Sequence, residues 1–176
     1  MQVYYDTGVL VPLYVEEVFS SAVSAYVESR NEVVALNLFQ QLELENALRV
    51  KVFRGEIEES LCQAVLNKIK SNLEEGKFAL RPVLWLGALE DARRLGAKAT
   101  GNGGCRTLDL IHVAIAVQWQ CAVFVTSDDR QLKAAHSAGL GTVDVRTLGR
   151  RDRAGGALRE KPARYGVQRK RLPDRV

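Results

Sequence analysis

Two short apolar runs in this 176-residue chain lead into acids: residues 3–5 are followed at once by Asp6, and residues 122–126 are followed, one position on, by Asp128 and Asp129. Two further acids interrupt apolar stripes. Glu43 has Phe39 and Ala47 four residues to either side and Val50 at seven, and Asp109 sits among Leu108, Leu110, Ile111 and Val113. Residues three and four apart share a helix face, so both carboxylates belong to packed surfaces, where an acid costs free energy unless it is paired or cation-bound. Glu45 differs: Gln41 and Arg49 lie four residues either way, the pattern of a solvated, ion-paired face. Taken singly, Asp6 and Asp128 also read as helix N-caps, Asp128 forming a capping box with Gln131. Taken together, two strands ending in acids and two acids on packed helix faces can converge at one sheet edge. Crowded carboxylates repel and protonate near neutral pH unless a cation neutralises them. Oxygen-only donors suit Mg²⁺ or Mn²⁺, which keep waters, bridge to phosphate oxygens and activate a phosphodiester without a protein nucleophile. Such a cluster would make a metal-dependent nuclease. His112, three residues after Asp109, reads as an orienting or satisfied core histidine rather than a ligand.

The elements needed to position these acids follow from the periodicity. Runs at 3–5, 33–36, 78–80, 122–126 and 142–145 are β-rich and read as strands. Helical patterns at 16–29, 38–53, 56–75, 85–99, 106–118 and 128–137 fill the gaps, several closing at a glycine: Gly55, Gly76, Gly139, and the 101–104 loop. Strands separated by crossover helices predict a three-layer α/β/α sandwich with a mostly parallel central sheet. Ligands in such sheets sit outside the carboxyl ends of the strands.

Composition narrows the class further. The chain is 47% hydrophobic and 26% charged with 4 prolines, which excludes collagen-like, coiled-coil and wholly disordered chains. The 3 cysteines, Cys62, Cys105 and Cys121, are too widely spaced for a zinc knuckle and predict free thiols in a reducing compartment. The first residues lack the basic and apolar regions of a signal peptide, and there is no 18-residue apolar run, so a soluble cytoplasmic protein with no membrane partner is expected. Charge is uneven: residues 150–176 hold 10 of the 25 Lys+Arg and 3 of the 21 Asp+Glu, a net of +7, against −3 for residues 1–149. The division is therefore a domain at 1–148 and a basic tail at 149–176, without periodicity and expected to be flexible. That tail either contacts RNA phosphates or is an inert extension.

Four segments resemble the PIN-domain ribonucleases, specifically VapC toxins of toxin–antitoxin systems. Tyr5-Asp6-Thr7 is similar to the family's first-strand acid with its hydroxyl neighbour, and residues 42–48 to its helix-borne glutamate, with Glu43 in register. Residues 106–114 resemble the third block, histidine included, and residues 125–128 the fourth, whose register favours Asp128 over Asp129. The resemblance spans residues 1 to about 148. It implies a PIN-like fold and a Mg²⁺-dependent endoribonuclease, Mn²⁺ substituting, with Asp6, Glu43, Asp109 and Asp128 as the catalytic and metal-binding acids. Thr7 and Thr126 would hold waters or phosphate oxygens, Arg106 would meet substrate or a partner, and His112 would support the acids. It also implies an RNA substrate, a small VapB-type antitoxin and a homodimer. Gly8 departs from the family's small polar residue and makes a haloacid-dehalogenase-type phosphatase, which needs a second aspartate there, a poor fit. The alternative is a catalytically inactive PIN-like module that binds RNA or protein.

Overall fold

A computed structural model describes residues 2–151. Among these residues there are five strands, β1 (Val3–Tyr5), β2 (Val34–Leu36), β3 (Phe78–Leu80), β4 (Val123–Thr126) and β5 (Gly141–Asp144). All pairings are parallel, in the orders β1-β4-β5 and β2-β3. The strands thus form two hydrogen-bonded sheets, one of three strands and one of two. β2 lies beside β1 without a ladder between them, and the Gln40 amide takes the Tyr5 carbonyl instead, donating from Nε2 at 2.7 Å.

Strand alternation builds two cores. Val3 and Tyr5 face one apolar cluster together with Val125, while Tyr4 and Phe124 face the other, stacked with ring centroids 5.2 Å apart. Alternate side chains of a strand point to opposite faces, so a sheet buried on both sides must be covered twice. Helices α1 (Thr7–Leu10), α2 (Ser20–Arg30), α3 (Leu38–Phe53) and α4 (Glu59–Glu74) supply buried residues to the first core. Helices α5 (Trp85–Gly103), α6 (Thr107–Gln118) and α7 (Asp129–Ser137) supply the second. This is the expected three-layer arrangement with a parallel sheet.

The boundaries differ where side chains or glycines rewrite the local hydrogen bonding. α2 begins at Ser20 rather than 16, because the Ser20 hydroxyl accepts from the Glu17 N–H and donates to the Val15 carbonyl, closing a turn ahead of the helix. α5 runs through the expected 101–104 loop to Gly103 and stops at Gly104, whose φ of 62° directs its N–H back to the Thr100 carbonyl. α1, with the 3-10 turn Val11–Leu13 behind it, lies in a stretch with no helical expectation, being too short for periodicity to reveal. A last helix, α8 (Val145–Arg151), replaces the end of the expected 142–145 strand and crosses the expected boundary at 148, with Leu148 packed against the first core. Most of the basic tail, residues 152–176, lies outside the described residues. No described helix is long and apolar enough to cross a membrane.

Candidate active site

Asp6 occupies the N-cap position of α1, yet its carboxylate caps nothing. Its N–H continues the strand register to the Val125 carbonyl, so the side chain is carried past the carboxyl edge of β1. There Thr126 donates to Oδ2 at 3.2 Å and the Gln131 amide to Oδ1 at 3.3 Å. Burial pushes the Asp6 carboxyl above its usual range, outweighing the nearby His112 and the two donors, which pull it down. Gly8 packs closely against this carboxylate: a Cβ there would stand 3.2 Å from Asp6 Oδ2, which would have to give by a few tenths of an ångström.

Glu43 reaches the same place from α3. That helix starts in a full capping box, Asn37 and Gln40 each bonding the other's backbone N–H, which fixes its first turn against β1. Leu44 and Leu48 bury the face beside Glu43, while Glu45 pairs with Gln41 and Arg49 on the outer face. Both donors to Glu43 choose one oxygen: Thr7 Oγ1 at 2.7 Å and His112 Nε2 at 2.8 Å meet Oε2. His112 is 2% exposed, with the Tyr4 hydroxyl 2.9 Å from Nδ1 and Asp6 Oδ1 3.7 Å from Nε2. Burial opposes its charging, but the bond to Glu43 and the charges of Asp6, Glu43 and Asp109 prevail and raise its pKa.

Asp109 enters from the first turn of α6, where Oδ2 accepts the Arg106 N–H at 2.9 Å and Oδ1 accepts from Gln131 at 3.3 Å. Asp6, Thr7, Glu43, Arg106, Asp109, His112 and Gln131 line one cavity of about 670 Å³. Three of the four expected acids therefore converge. Asp128 does not line that cavity. It caps α7 through the N–H groups of Arg130 and Gln131 and takes a two-nitrogen grip from the Arg130 guanidinium, whose bonds hold its pKa below the usual range. Its own N–H meets Thr126 Oγ1 at 3.1 Å, so it is linked to Asp6 through that hydroxyl and through Gln131. Asp129 points elsewhere, onto Arg146.

Two contributors escaped the sequence reading. Gln131 showed only as a capping partner of Asp128, yet its amide spans Asp6 and Asp109. Tyr4 showed only as a strand residue, yet its hydroxyl fixes His112.

The donors facing the cavity from the three acids are all oxygens. Mg²⁺ or Mn²⁺ needs only one or two carboxylates and completes its shell with water or phosphate, so this set fits a hard divalent cation. Among the described residues no three His, Cys, Asp or Glu side chains are grouped so that they could hold a metal ion as they stand. Nitrogen donors stand between the acids instead.

No family model matches the chain, and no curated protein matches it. Among solved structures, the crystal structure of FitAcB from Neisseria gonorrhoeae is similar in fold, with a TM-score of 0.55 over 81% of this chain and 97% of that chain, at 18% identity. The chain shares the parallel α/β fold of that structure.

Proposed function

We propose that this chain is a Mg²⁺- or Mn²⁺-dependent endoribonuclease, the toxin of a toxin–antitoxin pair. The observation that carries the reading is the convergence of Asp6, Glu43 and Asp109, from three distant segments, on one cavity at the carboxyl edge of a parallel sheet. The four-block resemblance and the shared fold with FitAcB support it. A cation bound by these acids supplies the positive charge that polarises a phosphodiester and stabilises its departing oxygen. The protein's own groups hold the acids in place. Thr7 and His112 fix Glu43 by one oxygen and leave Oε1 free of them, Thr126 orients Asp6, and the Arg106 backbone orients Asp109. Arg106, exposed at the rim, offers a guanidinium to an RNA phosphate. The partners in this reading are cytoplasmic RNA, a small VapB-type antitoxin and a second copy of the chain.

The test is cleavage of RNA by the purified protein with Mg²⁺ or Mn²⁺, beside an EDTA control and Asp6→Asn. Cleavage requiring both the cation and Asp6 is expected. Metal-independent RNA binding without cleavage, after any co-purified inhibitor is removed, would show an inactive binding module instead.

A further inference from the structure

The two weakest bonds in the acidic cavity belong to one nitrogen. Gln131 Nε2 donates to Asp6 Oδ1 and to Asp109 Oδ1, each at 3.3 Å, well beyond the usual 2.9–3.0 Å for such bonds. The other end of the amide is worse placed. Gln131 is 4% exposed, and its Oε1 is buried without a hydrogen-bond partner. Native proteins rarely leave a buried acceptor unpaired, because the desolvation cost is not recovered.

The remaining oxygens of these two acids are tied to fixed groups: Asp6 Oδ2 to the Thr126 hydroxyl and Asp109 Oδ2 to the Arg106 backbone N–H. The two oxygens facing each other across Nε2 have that neutral, poorly satisfied amide as their hydrogen-bond donor, while the chargeable neighbours stand farther off, His112 Nε2 at 3.7 Å from Asp6 Oδ1 and Arg130 Nε at 3.9 Å from Asp109 Oδ2. Uncharged Leu or Met at position 131 would fill the volume without an orphan. An amide there does something more: it supplies partial positive charge between two carboxylates that would otherwise repel.

We propose that Gln131 is a displaceable strut: its amide bridges Asp6 and Asp109 while no cation is bound and gives way to the cation that replaces it. This inference rests on the divalent-cation reading above. Gln131 is then a positioning residue that opposes cation binding slightly, in return for keeping the two acids together in the cation-free protein.

The experiment is a thermal-shift titration of the full chain with Mn²⁺ alone, comparing wild type with Gln131→Met, which keeps the side-chain length and removes the amide. Two donors lost to charged acceptors, both long, predict that Mn²⁺ binds the variant tighter by about three- to ten-fold. Gln131→Leu, of different shape and also lacking the amide, is expected to change affinity in the same direction and serves if Gln131→Met does not fold. Equal affinity in wild type and variants would make Gln131 a structural residue only. Weaker affinity in the variants would mean that the amide prepares the site rather than competing for it. Either result overturns the strut while leaving the cation reading intact; a wild type that shows no Mn²⁺-dependent shift overturns both.

Discussion

His112 bonds Glu43 through Nε2 at 2.8 Å while the Tyr4 hydroxyl holds the opposite ring nitrogen at 2.9 Å. A hydroxyl both donates and accepts, so this pairing keeps an N–H directed at Glu43 whether the imidazole is neutral or charged. Burial holds the Tyr4 phenol well above its usual pKa, so it remains protonated at any physiological pH. The chain Tyr4, His112, Glu43 therefore runs from the second core to the cavity as one orienting device.

Tyr4→Phe removes the hydroxyl and leaves the buried Nδ1 without that partner. The expected cost is about 1–3 kcal/mol in urea unfolding, with RNA cleavage reduced because the ring that grips Glu43 is free to turn. His112→Gln, which retains a donor on a different stem but replaces the ring that grips Glu43, should lower cleavage further than Tyr4→Phe. An unchanged unfolding midpoint and cleavage rate in Tyr4→Phe would show that packing alone fixes the ring.

Stability should fall as pH rises in the cation-free protein. Asp6 and His112 both have folded pKa values raised above their ordinary 3.8 and 6.5. The folded state thus holds each proton more tightly than the unfolded chain. Each contribution is complete below the ordinary value and is lost as pH climbs through the raised one. For Asp6 the loss starts above about pH 4, and for His112 above about pH 6.5. Melting in EDTA at pH 5, 7 and 8.5 should show a declining midpoint, and Asp6→Asn should flatten the lower part of the curve. A midpoint that climbs between pH 7 and 8.5 would contradict the raised histidine.

The elements were legible in the sequence where side-chain periodicity alone decides them. Leu38–Phe53 could be read to the residue because its apolar stripe and the closing Gly55 agree, and the same stripe separated Glu43 from Glu45. Choices made by tertiary contact were hidden. Asp6 and Asp128 looked equivalent, each an acid after a strand, but one spends its carboxylate on Thr126 and Gln131 and the other on the α7 N-terminus and Arg130. Nothing local distinguishes them, since the deciding partners of Asp6 lie 120 and 125 residues away in the chain. The role of Gln131 was invisible for the same reason.

The three cysteines are free and buried, in keeping with their spacing. Burial pushes the Cys105 and Cys121 thiols up to about 11 and raises Cys62 as well. The thiolate is the reactive form, so a disulfide reagent at pH 8 should label native protein slowly and unfolded protein fully. Rapid labelling of one native thiol would place that cysteine in a segment that opens readily.

Asp128 and Asp129 can be told apart by substitution. Asp128 accepts two backbone N–H groups at the start of α7 and pairs with Arg130, so Asp128→Ala should cost about 0.5–2 kcal/mol from the lost cap. It should also lower cleavage, because Thr126, which donates to Asp6, is itself bonded by the Asp128 N–H and sits next to the altered turn. Asp129 carries a surface pair with Arg146, and its side chain is 68% exposed. Surface pairs of this kind contribute about 0–1 kcal/mol and are screened by salt. Asp129→Asn should therefore leave cleavage unchanged. Asp128→Asn refines the comparison, since an amide oxygen can still cap the helix while the charge is gone. If that variant folds as well as wild type and loses activity, the charge of Asp128 matters to the reaction itself, and Arg130 must release it there. If it retains activity, Asp128 serves the fold of α7, and Asp6, Glu43 and Asp109 carry the site alone.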